Sequence, residues 1–161
     1  GPPLLEAGAV FQAPIARATP RDAYPAEAVK ALRHYPEPGS SRQEEVYFIE
    51  LLGANSEGKT LAVLHNAARE KAVALRFSLS QLPFFTLWKY AGCEQDGYVT
   101  GLEPGTSYPN FRSVERELGR LRVLQPGETQ SFELEIEAHD QPVGVSRLLK
   151  EIGQLQGEQG G

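Results

Sequence analysis

Methionine is absent from the 161 residues, and cysteine and tryptophan occur once each, as Cys93 and Trp88. One thiol cannot close an intrachain disulfide. Cys93 sits between Gly92 and Glu94 with no basic neighbour to lower its pKa, so it reads as a buried or half-buried bystander. No apolar run approaches the roughly 20 residues of a membrane-spanning helix. Basic charge is also short, with 16 Lys and Arg against 21 Asp and Glu, a formal net charge of -5 and a pI near 5.3. Such a surface repels phosphate backbones, which argues against nucleic acid as a partner. No phosphate loop, dinucleotide fingerprint or metal-ligand spacing occurs, so neither a cofactor nor a metal is expected.

Hydrophobic residues make up 40% and charged residues 23%, ordinary globular usage that suits one domain over 1–161. The apolar pattern has a period of two through most of the chain. Strands are expected at 9–15, 45–52, 59–66, 72–79, 84–89 and 97–103, and again around Phe132, Leu134 and Ile136. In that last segment Glu133, Glu135 and Glu137 alternate with the apolar residues, so one face is expected to be core and the other solvent. Thr19-Pro20 carries the signature of a helix start, with a short helix at 25–32. Turns are expected at 55–58 and at Gln125-Pro126-Gly127-Glu128. The end returns to helix at 140–155 through a stripe of Val143, Leu148, Leu149, Ile152 and Leu155, with 154–161 read as a fraying tail. Strands separated by turns, with one or two short helices, predict a mainly β antiparallel sandwich.

Chemistry concentrates where the strand at 97–103 runs into a Pro- and Gly-rich loop, Glu103-Pro104-Gly105-Thr106-Ser107-Tyr108-Pro109-Asn110. A carboxylate at a strand end is rigidly held yet faces the space the loop walls, the geometry a general base needs. An acid before Pro-Gly is also an ordinary turn residue. Trp88 and Tyr108 offer aromatic faces nearby. Lys89 and Asp96 flank the same stretch as candidate substrate contacts, or as partners in a salt bridge across neighbouring strands. Arg112 is close enough in sequence to join them. The mixed charges at 112–122, Glu115 among them, read as a solvated face with weak local ion pairs. Of the three histidines, His65 is in phase with Leu61 and Val63 and reads as a core or rim residue. His34 and His139 have no ligand-type partners.

The run Leu82-Pro83-Phe84 to Trp88-Lys89, then Asp96-Gly97-Tyr98-Val99 to Gly101-Leu102-Glu103-Pro104-Gly105-Thr106, resembles a divergent branch of the galactose mutarotase-like (aldose 1-epimerase) superfamily. The likeness covers essentially the whole chain and only the later half of the family's sandwich. It implies the carboxyl-terminal portion of a mutarotase-like supersandwich that binds a monosaccharide or sugar derivative. Glu103 is then the catalytic carboxylate, and Trp88, Lys89, Asp96, Tyr108 and Arg112 contact the substrate. The reaction implied is interconversion of sugar anomers by general acid–base catalysis, without a cofactor; the lack of disulfides fits a reducing compartment and the cytoplasm is the expected location. The acid histidine of such proteins lies upstream, so the resemblance implies that this chain is part of a longer protein and nearly inactive alone. Two rivals stand beside this reading: a non-catalytic carbohydrate-binding sandwich, and a structural half-domain that self-associates or pairs with a missing amino-terminal half.

Overall fold

A computed structural model describes residues 5–95 and 97–157. Over those residues the chain forms eight strands and three helices. Two antiparallel sheets face one another. The first holds β1 (Val10–Gln12), β4 (Lys59–His65), β5 (Ala72–Ser78) and β8 (Leu134–His139), in the order β1-β4-β5-β8. The second holds β2 (Ile15–Pro20), β3 (Glu44–Leu51), β6 (Phe84–Ala91) and β7 (Tyr98–Gly105), in the order β2-β3-β6-β7. β1 and β2 are nearly one strand. They part at Ala13-Pro14, where the chain passes from one sheet to the other and closes that side of the sandwich. On the opposite side β7 and β8 end their sheets.

The interior is an aromatic stack that ties the sheets together. Phe85 of β6 stacks on Phe11 of β1 at 5.7 Å and on Phe77 of β5 at 5.9 Å. Each such pair contributes about 0.5–1.5 kcal/mol beyond its buried area. Tyr47, Ile49, Ala62, Leu75 and Leu87 complete this core.

The middle of the first sheet, β4 and most of β5, is covered on both faces. Helix α3 (Pro142–Gly157) lies on its outer side, with Val145, Leu148, Ile152 and Leu155 against Leu61, Val63, Ala72 and Ala74. Val143, expected in the helix stripe, is exposed, and Val145 takes its place. The helix continues through Gln154 to Gly157, where a fraying tail was expected, and 158–161 lie outside the described residues. Arg76 on β5 clamps α3 to β8, bonding Glu137 at 3.0 Å and Glu151 at 3.1 Å.

Three expectations change. Thr19 and Pro20 do not open a helix; they close β2, opposite Phe48 and Tyr47. Pairing with β3 outweighs the local signal, and Pro20 is tolerated because β2 is an edge strand. The short helix follows as α1 (Ala26–Lys30), entered through Pro25. On β8, Leu134 and Ile136 oppose Phe77 and Leu75 and so share the sandwich-facing side, yet both are exposed. Glu135 and Glu137 face the α3 side instead, bonded to Lys59 and Arg76. Finally, Glu115 is not solvated. It is the buried residue of α2 (Arg112–Glu117). Among the described residues no helix is long and apolar enough to cross a membrane.

Candidate active site

The outward face of the second sheet is read from its register. Phe85, Leu87 and Lys89 on β6 and Tyr98, Thr100 and Leu102 on β7 point inward, which leaves Phe84, Thr86, Trp88, Gly101 and Glu103 outward. Two transverse rows cross this face. In one, Glu103 pairs with Thr86, Thr86 with Phe48 and Phe48 with Thr19. In the next, Gly101 pairs with Trp88 and Trp88 with Val46.

Glu103 therefore sits inside an edge strand, two residues before its end. Its side chain folds back over Gly101, whose lack of a Cβ leaves the space. Among the described residues it has no hydrogen-bond or ion-pair partner. Partial burial pushes its carboxyl above the ordinary value, because a charged carboxylate is penalised where water is partly excluded.

Across the sheet from Glu103, on the neighbouring strand β6 and on β3 beyond it, stands an aromatic wall. Tyr108 stacks on Phe48 at 4.4 Å and meets the edge of Phe84 at 4.9 Å. Burial raises the Tyr108 phenol above its usual pKa. Thr86 lies between the wall and the carboxylate and is itself buried.

The wall is held from behind. Glu115 accepts from Asn110 Nδ2 at 2.8 Å, from Arg120 Nε at 2.7 Å and Nη2 at 2.5 Å, and from the Tyr108 amide at 3.3 Å. The Arg120 guanidinium lies over the Tyr108 ring at 5.5 Å. These donors, Arg120 foremost, hold the Glu115 carboxyl down to about 2 despite its burial. At the far margin Arg17 forms an ion pair with Glu50.

Of the residues singled out from sequence, Glu103, Trp88 and Tyr108 come together on this face. Lys89 does not. It is buried on the inward side, donating to the His34 carbonyl at 2.9 Å beside Glu45 at 3.7 Å, and burial lowers its pKa. Arg112 is exposed at the start of α2, and Asp96 lies outside the described residues. Phe48 and Thr86 were not anticipated, and the Glu115–Arg120 pair was expected only as a weak ion pair on a solvated face. Gly101 could have been, since a glycine inside a strand marks a close approach. No imidazole is placed here: His34 bridges β1, His65 lies in β4 and His139 ends β8, all on the other sheet. Among the described residues no cluster of His, Cys, Asp or Glu could hold a metal ion.

The family described as a domain of unknown function, DUF4432, matches residues 1–138. The chain also superposes on a crystal structure named as that of a candidate aldose 1-epimerase from Klebsiella pneumoniae subsp. pneumoniae MGH 78578. The TM-score is 0.92 at 36% identity, covering 99% of this chain and 41% of that one. No curated protein matches the sequence. The expected aldose 1-epimerase-like sandwich is the fold the chain adopts.

Proposed function

We propose a function for this chain, which belongs to the DUF4432 family: its Glu103 face serves an aldose 1-epimerase-like protein that interconverts the anomers of an aldose. The observation that carries the reading is the state of Glu103. It is unpartnered among the described residues, partly desolvated, fixed on a strand, and turned toward an aromatic-walled face. A carboxylate with those properties is suited to act as a general base.

In the proposed reaction Glu103 takes the proton of the anomeric hydroxyl. The C1 oxygen becomes a carbonyl as the bond from C1 to the ring oxygen breaks, and an acid delivers a proton to that oxygen. The open chain rotates about C1–C2. Closure on the other face then reverses both proton transfers, so nothing is consumed. Trp88 and the Phe48–Tyr108 pair would stack on the apolar faces of the ring. The acid would be a histidine from polypeptide outside this chain, since the described imidazoles belong to the other sheet.

The absence of an acid on the described face favours one second reading, a module that binds a sugar without turning it over. NMR anomer exchange on a panel of free aldoses, using the whole gene product with and without Glu103→Gln, separates the two. Exchange that is fast and falls about 10² to 10⁴-fold in the variant supports the epimerase. Sugar binding with no protein-dependent exchange in either protein gives the binding module.

A further inference from the structure

The outward face of the second sheet continues beyond Trp88. Two residues further along β6, Tyr90 points outward as well, opposite Val99 on β7 and Glu44 on β3. Its ring reaches along the strand over glycine. A Cβ at Gly92 would stand 2.7 Å from Tyr90 Cζ, and one at Gly97 4.0 Å from Cδ1. Gly92 thus makes room for this ring as Gly101 does for Glu103. Phe48 and Phe84 pack on Tyr108, whereas half-buried Tyr90 packs on no other ring among the described residues. Beside it opens a cavity of about 330 Å³, lined by Gly39, Arg42, Tyr90, Gly92 and Cys93. Arg42 is exposed there and forms no ion pair among the described residues. An aromatic face beside a concave space with a few polar groups is the composition of a small-molecule site. The guanidinium and the phenol supply donors, the complement of a ligand rich in hydroxyl oxygens.

We infer that Tyr90 and Arg42 form a second saccharide subsite, and that the ligand of this face is a short oligosaccharide with a free reducing end. The inference rests on the reading of the Glu103 face as a sugar site. Spacing selects the ligand. The Glu103 carboxyl lies over Gly101, level with Trp88, and the Tyr90 ring lies about three residues further along β6, or about 10 Å. A single pyranose whose C1 meets Glu103 rests on Trp88 and stops short of that ring. A second, glycosidically linked ring covers the gap and brings its hydroxyls to Arg42. Exposed Glu44, in the Tyr90 row, adds an acceptor and sets the subsite against an anionic group.

The test is a calorimetric titration of the whole gene product with glucose, galactose, maltose, cellobiose and lactose. At least one disaccharide should bind about tenfold more tightly than the monosaccharides, the effect of one further aromatic contact. Tyr90→Ala should erase that advantage and leave monosaccharide binding unchanged, while Tyr90→Phe keeps it. Gly92→Ala, which drives the ring from its place without altering it, should act as Tyr90→Ala does. Monosaccharides that bind as tightly as every disaccharide, or disaccharide binding untouched by Tyr90→Ala, overturn the inference and leave the Glu103 reading standing. Tyr90-dependent disaccharide binding without anomer exchange does the reverse: it upholds the subsite and removes the epimerase. Binding of no saccharide overturns both.

Discussion

The carboxylate of Glu103 lies over Gly101, so closely that a Cβ at Gly101 would stand 3.1 Å from Glu103 Cδ and 3.3 Å from Cγ. The glycine thus fixes where the acid can rest. Gly101→Ala should drive the Glu103 side chain into another rotamer. Because that side chain borders solvent, stability should change by less than about 1 kcal/mol. Misplacing a catalytic group by an ångström costs up to about 10² in rate. The expected result is a tenfold to hundredfold fall in anomer exchange with an almost unchanged urea midpoint. An unaffected rate would remove Glu103 from the chemistry.

The same carboxyl sets a pH dependence. Burial raises its pKa above the ordinary 4.5, and a general base works only when ionised. Exchange should therefore decline, as pH falls, at a pH above the range of a free glutamate, and that limb should vanish in Glu103→Gln. For stability the sign runs the other way. A group whose folded pKa is raised weakens the fold where it is charged, so Glu103→Gln should be neutral to stabilising at pH 7.

Glu115 should behave oppositely. Its carboxyl is held at about 2, against an ordinary 4.5, by Arg120 and its other donors. The stability it contributes is present above about 4.5 and is lost as pH falls toward 2. Glu115→Gln should flatten acid unfolding across that window. Arg120→Ala, which leaves a buried carboxylate without its cation, should cost about 3 kcal/mol at pH 7. Both variants should also loosen Tyr108, seen as a raised KM with kcat changed less.

The periodicity of the sequence carried most of the strands, because alternation needs only local residues. β3, β4, β5 and β6 fall close to where the pattern puts them. What local pattern could not show was which sheet each strand joins. Glu103 and Trp88 share a face only because β6 and β7 pair with Gly101 opposite Trp88, and Lys89 is turned away by the same register. Glu115 was misread for a related reason: its partners Asn110 and Arg120 lie on either side of it, and only the folded loop shows that its carboxylate is buried. Glu135 is exposed as the alternation suggests, but Glu137 is partly covered, because nothing in the alternation reveals that Arg76 ties it to a helix, α3, on that side.

Leu148 tests that packing. It is fully buried between α3 and the first sheet, so Leu148→Ala should cost about 2–5 kcal/mol. Hydrogen exchange should show α3 opening before the aromatic core around Phe85. Uniform destabilisation of both layers would mean that they unfold as one unit.

Trp88 gives the most direct readout of the site. It is the single tryptophan of the chain, half-buried on the outward face and opposite Gly101 in the ladder. A sugar ring seated beside Glu103 would displace water from the indole, and saturable fluorescence changes should follow titration with an aldose. Trp88→Phe should keep binding within about threefold, since an aromatic face remains. Trp88→Ala should weaken it by about 1–2 kcal/mol, in line with a lost aromatic contact. Glu103→Gln should leave the fluorescence titration nearly intact while removing exchange, because it keeps the shape of the face and deletes only the base. If both Trp88 variants bind as the native chain does, the ligand does not sit on this face, and the roles assigned to Thr86, Phe48 and Tyr108 fall with it.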